Sequence, residues 1–309
     1  FHRRCLDSCM EVLVYGAGAL GSLVGGLLAR AHDVTLVGRD PHMRRIRDDG
    51  LHIEGALETT VHPRALTDGY HRSAAVALVT TKAYDTDAAA RALSTGEYEV
   101  VCSLQNGLTE ERLVASLDPP VLAGTTNYGA RLLEPGRVRC TGVGTVSVGS
   151  ITGGESPLAA RVAAAFADAG IETTAATDMP RRRFTKLAVN AGLNGPSALA
   201  RTTNGETMAG PGREAATEAA REVAHVARAA GVSLTETAVV EALESVADAT
   251  AANHSSMRAD VDAGRRTEVE ALYRAITTRA DDHGVSVPTC RTIASLLEAW
   301  EASRDLDEP

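Results

Sequence analysis

The feature that most constrains the fold of this chain is a glycine-rich turn close to its start. The turn consists of Gly16, Ala17, Gly18, Ala19, Leu20 and Gly21. An apolar, strand-forming run precedes it at 12–15 and an apolar helical stretch follows, which is the context in which G-x-G-x-x-G binds a dinucleotide. Gly16 permits the tight turn, Gly18 lets a pyrophosphate approach the backbone, and Gly21 lets helix pack on strand. The turn predicts a dinucleotide site at 16–21; a Rossmann turn without a cofactor is the alternative.

Strand and helix patterns alternate after this turn. The runs EVLVYG, DVTLVG, AAVALVTT, EVVCSLQ, VLAGTTN, GTVSVG and IETTAAT read as strands, with Ala-rich helical stretches between them. Such alternation is typical of a doubly wound, mainly parallel sheet. After Met179-Pro180 only helices are predicted, at 181–195, 211–231, 235–252, 267–284 and 289–303. We predict an α/β Rossmann domain at 1–178 and an all-α substrate-binding domain at 179–309.

The end of the second predicted strand bears on which nicotinamide cofactor binds. An acidic residue there would bind the ribose 2′-hydroxyl of NAD, whereas an arginine would suit the 2′-phosphate of NADP. Here Arg39 comes first and Asp40 follows. The order favours NADP, with Arg39 on the phosphate, and Asp40 keeps NAD open.

Composition argues against several classes of partner. The net charge is −9 and aromatic residues make up 3%, so neither nucleic acid nor a membrane surface is an expected partner. No apolar run reaches the roughly 18 residues of a membrane span. Five cysteines without a C-x-x-C pair predict a reduced, cytoplasmic protein, and no metal-ligand spacing is present. Residues 1–9 lack the apolar core of a secretory signal, and we hypothesise that they are an extension before a natural start at Met10.

Lysine is almost absent from this chain. Of 31 basic residues only Lys82 and Lys186 are lysines, and a lysine can donate a proton whereas an arginine effectively cannot. Lys186, Asn190 and Asn194 are spaced i, i+4, i+8 along a helix predicted to end at Gly195-Pro196, so they share one face. One ammonium and two amides suit a substrate with carboxylate and hydroxyl groups. An ordinary polar surface stripe is the alternative.

A second polar cluster lies further along the chain. Asn253 and Ser256 belong to the run N-H-S-S, and Thr267-Glu268-Val269-Glu270 fits a capping box. The box predicts a helix start that puts Glu268 in the first turn, where the helix dipole stabilises a carboxylate. Taken alone, the motif is better explained by a purely structural cap.

Six segments together resemble the ketopantoate reductase family. They are GAGALG (16–21), TKAYDTD (81–87), LQNGL (104–108), KLAVNAGLN (186–194), TTNGE (202–206) and NHSSMRADVDAGRRTEVE (253–270). They follow the family's order with similar spacing, and the resemblance covers about residues 10–300. It implies a Rossmann domain followed by a helical domain like that of 6-phosphogluconate dehydrogenase. The stretch TTNYGARLLEPGRV departs from the family's pattern.

The resemblance also implies roles for individual residues. Lys186 matches the catalytic lysine that donates a proton to the carbonyl oxygen, and Glu268 matches a glutamate near cofactor and active site. The positions that match substrate-binding residues are Asn106, Asn190, Asn194, Asn204, Asn253 and Ser256. Lys82, Asn106 and Ala130 match positions near the cofactor.

The implied activity is NADPH-dependent reduction of 2-dehydropantoate to (R)-pantoate, in pantothenate and coenzyme A biosynthesis. The residues by themselves indicate only a small 2-oxoacid or ketone. Two alternatives stay open: a related reductase of another 2-oxoacid on the same scaffold, and a non-catalytic NADP-sensing protein. The resemblance also makes a homodimer an expectation.

Overall fold

A computed structural model of the chain describes residues 9–306, so the hypothesised extension at 1–9 lies outside it apart from Cys9. The chain divides into two compact units. Unit 1 contains the residues up to Gln105 together with Thr109–Met179, and unit 2 contains Asn106–Leu108 and the residues from Pro180 onward. Within the described range, no helix is both long and apolar enough to cross a membrane.

Unit 1 is built on an eight-stranded, mainly parallel sheet. Its strands, in spatial order, are β12 (Thr173–Ala175), β11 (Val146–Ser150), β8 (Val121–Thr126), β7 (Glu97–Ser103), β6 (Ser73–Val79), β1 (Glu11–Tyr15), β2 (Asp33–Val37) and β5 (Arg64–Leu66). Only the pair β8 and β11 is antiparallel. The chain passes from β1 to β2 on one side and returns to β6 on the other, which makes β1 and β6 the switch point where such sheets bind ligands. The predicted Rossmann sheet is confirmed.

The helices of unit 1 connect these strands. They are α1 (Ala19–Leu28), α2 (His42–Asp49), α3 (Thr86–Leu93), α4 (Glu110–Val114) and α5 (Pro157–Asp168). The start of α5 shows how local sequence fixes a helix end, because the Ser156 hydroxyl accepts a hydrogen bond from the Ala159 N–H and Pro157 takes the first helical position.

A second, four-stranded sheet was not predicted. Its spatial order is β4 (Thr59–Val61), β3 (Leu51–Gly55), β10 (Arg137–Gly142) and β9 (Gly129–Glu134). Helix α1 packs between the two sheets, and two consecutive glycines make room for it: a Cβ on Gly25 would lie 2.5 Å from Leu36, and one on Gly26 would lie 2.8 Å from Ile53. The prediction missed this sheet because its central pair joins strands far apart in sequence, and local periodicity carries no sign of such pairing.

Unit 2 is all-α, as predicted. Its helices are α6 (Met179–Ala200), α7 (Asn204–Ala209), α8 (Gly212–Ala229), α9 (Glu236–Ala249), α10 (Ser256–Asp262), α11 (Ala275–His283) and α12 (Pro288–Ala302), with a π-helical turn (Glu270–Arg274) before α11. Leu187, Val223, Leu243 and Leu297 from four of these helices meet in one buried core. The short helices α7 and α10 were not predicted, because six or seven residues show too little periodicity.

The predicted end of α6 at Gly195-Pro196 is wrong, because the helix continues to Ala200. Proline lacks the N–H that bonds four residues back, so a break was expected. Here the Tyr273 hydroxyl accepts a hydrogen bond from the Gly195 N–H at 2.9 Å and donates one to the Ala191 carbonyl at 2.6 Å. These are the two groups that a regular helix joins directly. The bond that Pro196 cannot make is the one to the Gly192 carbonyl, so the Tyr273 hydroxyl supports the neighbouring step of the helix, between Ala191 and Gly195.

Candidate functional site

The glycine-rich turn of unit 1 has the geometry that its sequence predicts. Gly16 has φ of +109°, which L-residues with a side chain rarely adopt, and a Cβ there would lie 2.4 Å from the Thr81 nitrogen. A Cβ on Gly21 would lie 2.3 Å from the Gly16 carbonyl oxygen. Both positions therefore require glycine for the turn itself and for close packing of α1 on the strand.

Gly18 differs from these two glycines, because it is exposed and a Cβ there would meet no described atom within 4 Å. Directly after it begins α1, whose ten residues carry no acidic side chain in the first turn. An open approach to backbone N–H groups at a helix N-terminus suits an anionic group. Residues 16–21 thus have the shape and polarity to hold the diphosphate of a dinucleotide.

Lys82 lies beside this turn in unit 1. It follows the carboxyl end of β6, is half-buried, and immediately precedes a short 3₁₀ turn (Ala83–Asp85). The segment is held by Gln105, whose Nε2 donates to the Thr81 hydroxyl at 3.0 Å and to the Thr86 hydroxyl at 2.9 Å. Gln105 is buried and was not singled out from the sequence, because only the fold brings it under the segment that carries Lys82.

Arg39 and Asp40 follow β2 and have different surroundings. The Arg39 side chain is 87% exposed and pairs with Asp85 at 3.3 Å. The Asp40 carboxylate accepts a hydrogen bond from the Arg44 N–H at 2.9 Å, near the start of α2, and another from Arg47 at 3.4 Å. The acid is therefore engaged with its own helix, whereas the guanidinium is largely exposed and pairs with Asp85.

Ala130 lies apart from the residues just described. It is in β9 of the four-stranded sheet, where it pairs with Cys140 of β10. Its predicted place near the nicotinamide is left as a prediction.

Asn106 belongs to unit 2 although it follows β7 in the chain. Its Nδ2 donates a hydrogen bond to Glu268 Oε2 at 3.1 Å. Gly107 (φ of +85°) lies against the Ala271 backbone, where a Cβ would fall 2.4 Å from the carbonyl oxygen, and Leu108 is buried in the unit 2 core. Two predicted site residues, 162 positions apart, are thus in direct contact.

The predicted capping box is wrong, and Glu268 lies just before the helical residues, not in their first turn. The Thr267 hydroxyl accepts from the Val269 N–H at 3.2 Å, and the Thr267 N–H donates to Glu301 Oε1 at 2.6 Å. Glu270, which the box assigns to that N–H, instead pairs with Arg266. The carboxylate comes from α12 because Glu301 is buried directly against this segment, a contact that no local motif can reveal.

The predicted stripe of α6 is present in the helix. Lys186 and Asn190 are half-buried, and Asn194 is buried at 6% exposure. Ser197, one turn further, donates to the Asn194 carbonyl, and its hydroxyl lies 2.8 Å from the Ser255 hydroxyl. The graded burial argues against an ordinary surface stripe, since buried polar side chains are found where they have partners to bind.

The remaining predicted residues meet at the starts of α7 and α10. The Asn204 N–H donates to the Asn253 carbonyl at 3.0 Å, and the Asn204 amide donates to the Thr250 hydroxyl at 2.9 Å. Asn204 is buried, and its Oδ1 has no hydrogen-bond partner among the described residues. Ser256 is exposed at the first position of α10, whose N-cap is Ser255.

Comparison with known proteins finds two family models that match this chain. The model described as Ketopantoate reductase PanE/ApbA matches residues 12–153. The model described as Ketopantoate reductase PanE/ApbA C terminal matches residues 178–301. Together they cover most of the chain.

Individual relatives agree over nearly the full length. The 2-dehydropantoate 2-reductase of Halobacterium salinarum is 42% identical over 306 residues, which span 96% of this chain and 100% of the relative. The solved PanE/ApbA family ketopantoate reductase of Ralstonia eutropha has a TM-score of 0.87 at 30% identity, covering 96% of this chain and 100% of that one. D-mandelate dehydrogenase with NADH and anilino(oxo)acetate has a TM-score of 0.88 with the same coverages, but at 23% identity it bears on the fold alone.

Proposed function

This chain belongs to the ketopantoate reductase family, and from that premise we propose that it reduces 2-dehydropantoate to (R)-pantoate with NADPH. The observation that carries the proposal is the polar set in unit 2, where Asn106 meets Glu268 and the stripe of Lys186, Asn190 and Asn194 becomes buried along one helix. A chain that only sensed the cofactor would have no need of that set. The two-unit fold, the enzyme class and the family agree with this reading.

Lys186 supplies the proton in this mechanism. When bound, the nicotinamide provides the hydride for the ketone carbon. Negative charge then develops on the carbonyl oxygen, where an ammonium both stabilises the charge and delivers a proton. General acid catalysis of this kind contributes about 10²–10⁴-fold to the rate.

The other polar residues of unit 2 bind and orient the substrate. A 2-oxoacid such as 2-dehydropantoate presents a carboxylate and a hydroxyl group. Hydrogen-bonding groups for them are available from Asn190, Asn194, Asn204, Asn253 and Ser256. Glu268 holds the Asn106 amide in place through their hydrogen bond, so that this amide is oriented before the substrate arrives.

The deciding experiment is a substrate panel. Oxidation of NADPH is followed with 2-dehydropantoate, pyruvate, 2-oxobutanoate and phenylglyoxylate, the last because D-mandelate dehydrogenase has the same fold. We expect the highest kcat/KM for 2-dehydropantoate. A higher value for another oxoacid would identify a related reductase instead. Binding of NADPH without turnover of any oxoacid would leave the sensing protein.

NADPH is proposed over NADH because of the difference between Arg39 and Asp40. The Arg39 guanidinium pairs with Asp85 at 3.3 Å but is 87% exposed, so a 2′-phosphate can reach it, whereas the Asp40 carboxylate accepts the Arg44 N–H at the start of α2. We expect kcat/KM to be larger for NADPH than for NADH, and the opposite order would overturn this assignment.

We also propose that the protein works in the cytoplasm and, as the resemblance to its family implies, that it forms a homodimer. Cys102, Cys140 and Cys290 are buried free thiols, a state that a reducing compartment preserves. Light scattering after gel filtration measures the oligomeric state, and a monomer at micromolar concentration would refute the dimer.

A further inference from the structure

We propose that the Tyr273 hydroxyl positions the substrate-binding face of α6. Sitting in the helix ladder between Ala191 and Gly195, it sets the direction of the Asn194 side chain relative to Lys186 and Asn190. The inference rests on the proposed function of that face and adds to it a residue that touches neither substrate nor cofactor.

The surroundings of Tyr273 are built around its hydroxyl. The side chain is fully buried, and the hydroxyl makes two hydrogen bonds, accepting from Gly195 at 2.9 Å and donating to Ala191 at 2.6 Å. A Cβ on Gly195 would lie 2.2 Å from the Tyr273 oxygen, so only glycine leaves room for it. Pro196 comes next and lacks an N–H to continue the ladder. Tyrosine, glycine and proline thus form a matched set at one point of the helix.

This point lies within the polar stripe. Lys186 and Asn190 precede the inserted hydroxyl, Asn194 falls inside the Ala191–Gly195 span, and Ser197 follows it, bound to Ser255. A side chain inserted into the ladder is one of the recognised causes of a helix kink. We infer that the Tyr273 contact sets the directions of the side chains on either side of it. Asn194, buried inside the span, depends most directly on the insertion.

Tyr273 comes from the same segment as Glu268. It lies in the π-helical turn Glu270–Arg274, and such turns are frequent at functional sites. One short stretch of chain therefore orients Asn106 through Glu268 and α6 through Tyr273. Burial raises the pKa of Tyr273 well above its ordinary value, so the hydroxyl keeps the proton that it donates to Ala191.

The first test is Tyr273→Phe, which removes the hydroxyl and keeps the ring. We expect KM for 2-dehydropantoate to rise about 5- to 10-fold, which is the effect of losing one hydrogen bond between Asn194 and the substrate. KM for NADPH should stay within about twofold. The matched control is Tyr98→Phe in unit 1, because the Tyr98 hydroxyl is also buried but has no hydrogen-bond partner among the described residues. A Tyr273→Phe enzyme with lower thermal stability and unchanged kinetics would reduce Tyr273 to a structural residue and overturn the proposal.

A double-mutant cycle with Asn194→Ala tests the route of the effect. If Tyr273 acts by placing Asn194, the hydroxyl has little left to do once that amide is gone, so the two losses should not multiply. We expect Tyr273→Phe to change KM less than twofold in the Asn194→Ala background. Losses that multiply fully would show that Tyr273 acts independently of Asn194, and the proposal would fall.

Hydrogen exchange separates failure of this inference from failure of the proposed function. If the natural enzyme reduces no 2-oxoacid, the proposed function fails. Hydrogen exchange of the peptide around 190–200 still reports on the contact between the Tyr273 hydroxyl and α6. We expect this peptide to exchange faster in Tyr273→Phe than in the natural chain. In Tyr98→Phe we expect its exchange rate to be unchanged. Equal exchange in all three proteins would overturn the role of the hydroxyl, whether or not the enzyme is active.

Discussion

The two units build their candidate sites from different parts of the chain. In unit 1 the site is mainly backbone, because Gly16, Gly18 and Gly21 shape a turn at the end of β1 that leads into a helix N-terminus. In unit 2 the site is made of side chains drawn from separate segments, and long-range hydrogen bonds such as Asn106 to Glu268 hold them together.

This difference teaches which kind of site tolerates change. A backbone site fails when a side chain fills its space, and its specificity comes from the few side chains at its rim. A side-chain site depends on supporting contacts as much as on the reacting group, since a small misplacement in such a site carries a large loss of rate. Substitutions in the two units should therefore have separable kinetic effects.

The largest expected effect is the loss of Lys186. We predict that Lys186→Ala lowers kcat at least ~100-fold, because the alkoxide loses both its stabilising charge and its proton source. Lys186→Arg should also fail, since a guanidinium does not readily give up a proton. Steady-state kinetics with 2-dehydropantoate measures both, and fluorescence titration should find NADPH affinity unchanged. Near-normal turnover of Lys186→Ala would remove this lysine from the mechanism.

The contrast between a site formed by one local segment and a site assembled from distant segments also decides how much the sequence could predict. The glycine turn, the strands on either side of it and the two-unit division into α/β and all-α parts are encoded by short-range periodicity and spacing. The spacing of Lys186, Asn190 and Asn194 likewise predicts a shared helix face. These features need no knowledge of distant contacts.

What escaped prediction depends on contacts between distant segments. The Tyr273 hydroxyl bonds the α6 backbone at Ala191 and Gly195, and Glu301 replaces the expected capping carboxylate at Thr267. The pairing of β3 with β10 creates a sheet from stretches that look unremarkable alone. In each case the hydrogen-bond partner lies far along the chain, and the local sequence pattern holds no record of it.

The second prediction compares two glycines of unit 1. Gly18→Ala should weaken NADPH binding by about 10- to 100-fold, because the added Cβ keeps the diphosphate from approaching the backbone N–H groups that bind its charge. Stability should be unchanged, because the Cβ has open space in the protein itself. Gly16→Ala should instead destabilise the fold by about 1–3 kcal/mol or more, since its φ is positive and its Cβ would meet Thr81. Calorimetric titration and denaturant unfolding measure the pair. A Gly18→Ala protein that binds NADPH normally would contradict a backbone-held diphosphate.

The third prediction concerns the rim of that backbone site. Arg39→Ala should raise KM for NADPH about tenfold and leave KM for NADH nearly unchanged, because only the 2′-phosphate needs the guanidinium. Asp40→Asn is the control, since asparagine can still accept the hydrogen bond from Arg44 at the start of α2. It should change neither value. A selective loss of NADH activity in Asp40→Asn would mean that the acid reads the ribose.

The smallest expected effect is the acid sensitivity of unit 1, where a buried histidine joins α1, α2 and the turn before β10. His42 Nδ1 accepts from the Gly136 N–H at 2.9 Å, and Nε2 lies 2.9 Å from the Ser22 hydroxyl, so the ring is neutral and burial lowers its pKa. Below the ordinary histidine pKa the unfolded chain binds a proton that folded His42 resists. The contribution of the ring to stability is therefore full above that pKa and is lost as pH falls towards the lowered value, by about 1.4 kcal/mol per unit of difference between the two pKa values.

Urea midpoints between pH 7.5 and 5 should fall less steeply for His42→Gln than for the natural chain. His62→Gln, at an exposed position, should follow the natural chain. Parallel curves for all three proteins would place the acid-sensitive group elsewhere.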